Sequence, residues 1–173
     1  PGAVGGCFVH ARHGNAADMP RLSGWWGHDK ANRFEMIHPF QASVGAEGWQ
    51  LSNPPILSLA SIRASLDVFS DAGFMQPLRR KSETLTGYLH WLLQEELGPA
   101  VEVITPAAPN ERGCQLSVRA PGGKALFGKL DEAGIVGDWR EPDVIRVAPV
   151  PLYNSFEDCY RFVTILKSLL DKS

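Results

Sequence analysis

Cysteine is scarce in this 173-residue chain: Cys7, Cys114 and Cys159 are its only three, odd in number and far apart. That argues against a disulfide framework and for a reducing, cytosolic compartment. Basic charge is also in short supply. Lys and Arg number 17 against 19 Asp and Glu, a net charge of −2, and no basic run is longer than Arg79-Arg80-Lys81. Nothing here would neutralise a phosphate backbone, which argues against a nucleic-acid partner. Long apolar runs are missing too. The longest uncharged one, Pro54 to Ile62, falls well short of the ~20 residues that span a bilayer, so no transmembrane helix is expected. No G-x-S-x-G elbow occurs, so serine hydrolysis of that type has no starting point. Gly2, Gly5 and Gly6 lack the third glycine of a dinucleotide loop, and Gly122-Gly123-Lys124 lacks the leading glycine and the following Ser or Thr of a P-loop. Both read as turns. There is no internal repeat, no low-complexity segment and no initiator Met. The chain opens at Pro1-Gly2 directly into a strand-like run, Ala3 to His10, with no sheet partner upstream, as though cut from something larger.

What is present is an ordinary globular composition, 44% apolar, adequate for one core. The first 53 residues are rich in Gly, Trp and His and lack a period, whereas the remainder alternates regular elements, which places a boundary near Asn53. Asn53-Pro54-Pro55 reads as a helix start, with Asn53 as N-cap and Pro54 in the first turn. Leu59, Ile62, Leu66 and Phe69 then share one face until Gly73. A second helix is predicted over residues 77–97, with Leu78, Leu85, Leu89 and Leu92 inward and Gly98-Pro99 as terminator. Period two follows in 101–103 and 114–119, an antiparallel pair. A short helix is expected over 124–133, strands over 135–139 and 144–147, and a last helix from Ser155. There Asp158 completes a capping box, and Phe156, Cys159, Val163, Leu166 and Leu170 form the seam. The order predicts an α/β fold with helices packed on a mostly antiparallel sheet.

Several side chains invite a chemical reading. Cys7, His10 and His13 are spaced three apart, but residues 7 and 10 of a strand point to opposite faces, which argues against a metal site. Cys114 and Cys159 fall on inward positions and read as buried hydrophobes. The segment Gly24-Trp25-Trp26-Gly27-His28 stands out, because two adjacent indoles between glycines suit a planar ligand as readily as a loop folded on the core or a subunit interface. His28 taken alone reads as a hydrogen-bonded structural residue. Arg146 lies among apolar neighbours in Val144 to Pro149, where a guanidinium needs an anion. A ligand carboxylate or a structural Asp or Glu would serve.

Taken in order, four stretches resemble the kynureninases, pyridoxal-phosphate enzymes of the aspartate-aminotransferase fold type. They are Pro1-Gly2-Ala3-Val4 with Cys7-Phe8-Val9-His10, then Gly24-Trp25-Trp26-Gly27-His28, then Leu51-Ser52-Asn53-Pro54-Pro55-Ile56, and finally Ile145 to Asn154. The resemblance implies pyridoxal 5'-phosphate as cofactor and hydrolysis of L-kynurenine, or its 3-hydroxy form, to the anthranilate and L-alanine in tryptophan catabolism and the pathway toward NAD. It implies cofactor contacts for Trp25 and Asn53, and a substrate pocket formed by Trp26, His28, Asn53 and Arg146, the last holding the α-carboxylate. A cytoplasmic homodimer sharing its active sites, in which the tryptophan loop serves the neighbouring subunit, is implied as well.

The same resemblance places the Schiff-base lysine, the phosphate cup and the aspartate facing the pyridine nitrogen ahead of Pro1, so no catalytic residue is assigned within the chain. Residues 1–53 are accordingly expected to be the end of the large cofactor domain, and 54–173 the small C-terminal domain, with 54–72 the connecting helix. The chain alone is expected to be inactive. The alternatives are another enzyme of the same fold type, a cysteine desulfurase or aminotransferase relative, and a non-catalytic domain that binds an aromatic ligand or a partner.

Overall fold

The computed structural model describes residues 4–16 and 18–172. These divide into two compact units, one up to Val68 and one from Phe69. The first unit is built mostly of turns. It contains a short helix α1 (Ala11–Gly14), 3-10 turns at Trp25–Gly27 and Gly45–Trp49, and one antiparallel bridge between His28 and Ala42. The strand expected over residues 3–10 is not formed: residues 4–10 have no regular structure, and Ala3, like Pro1 and Gly2, lies outside the described residues. A strand is stable only when its N–H and C=O groups find a partner strand, and the described part of this unit supplies none.

Helix α2 (Ile56–Asp71) runs across the division between the units. It starts later than Asn53 predicts. The first helical carbonyl is that of Pro55, which accepts from Leu59 N–H at 3.0 Å. Proline disfavours the helical backbone at the residue before it, so Pro55 keeps Pro54 out of the helix and moves the cap past Asn53. Gly73, at φ +78°, ends the helix as expected, and Phe74 N–H returns to Phe69 O at 2.8 Å. No residue of α2 is buried.

The second unit holds the core. Helix α3 (Met75–Leu97) buries Leu78, Leu85, Leu89, Leu92, Leu93 and Leu97. After it come β1 (Glu102–Val103), β2 (Leu116–Arg119), α4 (Gly123–Glu132), β3 (Asp138–Arg140), β4 (Val144–Val147) and α5 (Phe156–Leu170). The four strands form one antiparallel sheet in the order β1-β2-β4-β3. Strand alternation sends Leu116, Val118, Ile145 and Val147 into a single cluster with Leu85, Leu89, Leu92, Leu93 and Leu97 of α3, with Leu126 and Leu130 of α4, and with Cys159, Phe162, Val163 and Leu166 of α5. The capping box at Ser155 and Asp158 is present. Strand β3 is shorter than expected because Ile135 N–H still closes the end of α4 on Leu130 O at 2.9 Å, so residues 135–137 are spent leaving the helix. Gly122 and Gly123, both at positive φ, turn the chain into α4.

Candidate functional site

The two tryptophans lie in one 3-10 turn, closed by Gly27 N–H donating to Gly24 O at 3.0 Å and His28 N–H donating to Trp25 O at 3.3 Å. A Cβ on Gly24 would sit 2.2 Å from Leu51 Cα, and one on Gly27 2.8 Å from Gln50 O. The turn is therefore pressed backbone against backbone onto the segment leading to Asn53, an approach that only glycine permits. Held there, Trp25 remains 50% exposed and meets Phe34 edge-on, with ring centroids 5.4 Å apart. Trp26 is half-buried beneath the Arg33 guanidinium, whose carbon lies 4.6 Å from the ring centroid. Arg33 also donates to Trp26 O at 2.7 Å and to His28 O at 3.1 Å. This cation thus covers an indole face and holds two carbonyls through one Nη, while its Nε is buried without a partner.

His28 is held at its backbone by the bridge to Ala42 and by Ser43 Oγ, which donates to His28 O at 3.0 Å. Its ring meets Phe40 edge-on at 5.6 Å, and Nε2 is buried without a partner. Asn53 is exposed, two residues past the segment on which the turn rests.

Arg146 lies in the second unit. Its apolar neighbours in sequence suggest deep burial, but alternation along β4 sends Ile145 and Val147 to the core and Arg146 to the opposite face, where its side chain is 30% exposed. The expected anion is present: Asp138, directly across the β3–β4 register, forms an ion pair with Arg146 Nη2. Arg146 Nε nevertheless stays buried with no partner. Sequence reasoning missed Asp138, although the hairpin turn centred on Pro142 is the signal that pairs 138 with 146. It also missed Arg33, for which no signal exists before the turn is folded.

Other candidates carry less. A cavity of about 440 Å³ opens at the C-terminal end of β4, lined by Val147, Pro149, Asn154, Cys159 and Phe162 among others, and includes none of the expected site residues. Burial, and then the neighbouring Asp158 charge, push the Cys159 thiol up to about 11, so it is protonated and packs as a hydrophobe. Cys114 is only half-buried and lies before β2. Among the described residues no group of three His, Cys, Asp or Glu could hold a metal ion, and no helix is long and apolar enough to cross a membrane.

A family model described as the kynureninase C-terminal domain matches residues 78–166, which include the whole sheet and most of the helices packed on it. The chain belongs to the kynureninase family. Curated kynureninases from Xanthomonas euvesicatoria pv. vesicatoria and Xanthomonas oryzae pv. oryzae are similar to it, at 60% and 59% identity over 167 residues. Those alignments take in 94% of this chain and 39% of each relative, so the chain spans about two fifths of their length. Among solved structures, the apo cysteine desulfurase from Thermococcus onnurineus NA1 superposes with a TM-score of 0.71 at 15% identity, over 95% of this chain and 42% of that one. A mutant of C-DES, with glycine covalently linked to its pyridoxal-phosphate cofactor, superposes at 0.66 and 19% identity, over 86% of this chain and 37% of that one. At these identities the likeness concerns the fold. It shows that the kynureninase-family chain shares with these two proteins an α/β fold with helices packed on an antiparallel sheet, the class expected from its sequence.

Proposed function

We propose that this chain is the C-terminal part of a kynureninase that hydrolyses L-kynurenine to anthranilate and L-alanine with pyridoxal 5'-phosphate. One coincidence carries the reading: the segment that matches the family model contains an arginine, Arg146, whose Nε is buried and unpartnered. A guanidinium with an unused donor suits a substrate α-carboxylate, which it can grip through two hydrogen bonds.

The first unit suits a minor share of the cofactor pocket. It offers neutral hydrogen-bonding groups, the half-exposed Trp25 indole and the exposed Asn53 amide, together with the unpaired His28 Nε2. The nearby cation Arg33 holds Trp26 O and His28 O through one Nη and keeps its Nε buried without a partner. Bound pyridoxal phosphate supplies the electron sink for breaking the β,γ carbon bond. Trp25 would donate its indole N–H to the cofactor phosphate, and Asn53 would contact cofactor and substrate. Trp26 and His28 would bound the aryl ring and so set the preference between kynurenine and its 3-hydroxy form. Arg146 would orient the α-carboxylate. In this reading residues 1–53 close a larger cofactor domain, 54–173 form the small domain, and the enzyme is a cytoplasmic homodimer whose exposed Trp25 turn serves the neighbouring subunit.

The reading predicts that the isolated chain does not turn over kynurenine. All six lysines, Lys30, Lys81, Lys124, Lys129, Lys167 and Lys172, are exposed, and four of them are occupied at the surface by Glu47, Pro151 O, Glu141 and Glu96. None has the sequestered setting in which a lysine becomes a nucleophile at neutral pH. The test is a hybrid enzyme in which this chain replaces the matching segment of the Xanthomonas euvesicatoria kynureninase. With pyridoxal phosphate and L-kynurenine, anthranilate fluorescence should grow for the hybrid and stay flat for the chain alone. A well-folded but inert hybrid would refute the proposed activity.

In the hybrid, Gly24→Ala should lower stability by about 2 kcal/mol, the scale of an overpacked interior site. The clash is with the Leu51 backbone, which has no rotamer through which to escape. Urea unfolding followed by tryptophan fluorescence reads the change. An unaltered midpoint would show that the Trp25 turn does not rest on Leu51.

A further inference from the structure

Arg146 is one of two arginines on the same carboxylate. Asp138 Oδ2 pairs with Arg146 Nη2 across the hairpin and with Arg140 Nη2 at 3.1 Å along its own strand. Asp138 and Arg146 are directly opposed in the β3–β4 register, so the ladder holds their backbones at a fixed spacing. On its other side Arg146 faces Ser117 of β2, an uncharged neighbour. Two guanidinium groups therefore share one anion, and the three side chains together keep a net charge of +1.

We propose that Asp138 is a positioning residue for carboxylate recognition by Arg146, a proposal that rests on the reading of Arg146 as the substrate clamp. Asp138 takes one Nη of the guanidinium and leaves Nε unpartnered. It thereby holds a long, flexible side chain in one orientation before any ligand arrives, and the rotamer entropy of the arginine is already lost when the ligand binds. The obvious objection is that one carboxylate repels another. The Arg140 charge answers it, because an arriving carboxylate completes a set of two cations and two anions instead of crowding a neutral pair. The expected ligand group is a planar carboxylate on a small amino acid, taken at the guanidinium N–H groups that Asp138 does not occupy.

The test uses the hybrid enzyme with L-kynurenine as substrate and kynuramine, the same molecule without its carboxylate, as competing ligand. Asp138→Ala should raise KM for L-kynurenine about tenfold while kcat and the inhibition constant of kynuramine move less than about twofold. Asp138→Asn, which keeps an oxygen in place without the charge, should recover part of that loss. Adding Asp138→Ala to Arg146→Ala should cost nothing more, since a residue that acts through another has no effect once the other is gone. A KM that is unchanged or lower in Asp138→Ala overturns the proposal, and so does an equal loss for kynurenine and kynuramine, which would indicate general distortion of the hairpin. The two levels separate cleanly. If Arg146→Ala leaves the preference for kynurenine over kynuramine intact, the clamp itself is wrong. If Arg146→Ala abolishes that preference while Asp138→Ala does not weaken it, only the positioning role falls.

Discussion

Arg146→Ala in the hybrid enzyme should raise KM for L-kynurenine about 100-fold, the loss of a charge-assisted, two-bond contact worth ~2.7 kcal/mol. The cofactor's absorbance band should be retained, since the reading gives Arg146 a contact with substrate alone. Loss of the arginine strands little else. Asp138 is 44% exposed and keeps Arg140 at 3.1 Å, so water and that second guanidinium can solvate it. Arg146→Lys should fall between the two, because an ammonium keeps the charge and loses the planar fork. Unchanged kinetics in Arg146→Ala would remove the clamp and leave the arginine as one half of a surface ion pair.

The largest expected effect on stability is that of Leu93→Ala. Leu93 is 0% exposed on α3, in the cluster that joins α3, α5 and the sheet. Deleting its branched end removes buried surface and leaves a cavity that neighbours on a helix and a sheet cannot collapse to fill, at a cost of about 3 kcal/mol. The readout is the urea midpoint by far-UV circular dichroism, with the slope unchanged. A loss below about 1 kcal/mol would mean that the site relaxes and that the helix layer packs more loosely on the sheet than described.

Legibility in the sequence differs between the two units, and the reason is where each element finds its partners. In the second unit the period of apolar residues is also the pattern of burial. Leu78, Leu85, Leu89 and Leu92 are inward on α3 as their spacing predicts, and Cys159, Val163 and Leu166 are inward on α5, whereas Phe156 in its first turn is exposed and Leu170 at its end is only partly buried. In the first unit the same reasoning fails. Val4 to His10 has the composition of a strand, yet nothing in the described residues pairs with it. The Leu59, Ile62, Leu66 and Phe69 face of α2 is real as a pattern but covers no core, with Leu59 and Leu66 exposed. Asn53 satisfies the rule for an N-cap, and the proline pair after it overrides that rule.

By itself the sequence determined the α/β order of elements after Asn53, the glycine stops of α2 and α3, the capping box of α5, and the resemblance that names the family. These follow from local chemistry: side-chain periodicity, glycine at positive φ, and Ser155 with Asp158 at a helix start. Only the tertiary structure decided the state of the candidate site residues. Trp25 and Trp26 are adjacent in sequence, yet one is half exposed and the other lies under Arg33, because two glycines let the turn meet the backbone of residues 50 and 51. Arg146 looks buried among Val144, Ile145 and Val147 until strand pairing turns it to the opposite face and sets Asp138 against it. Which face a strand residue takes, and what stands across from it, depends on register, and register exists only once distant segments pair.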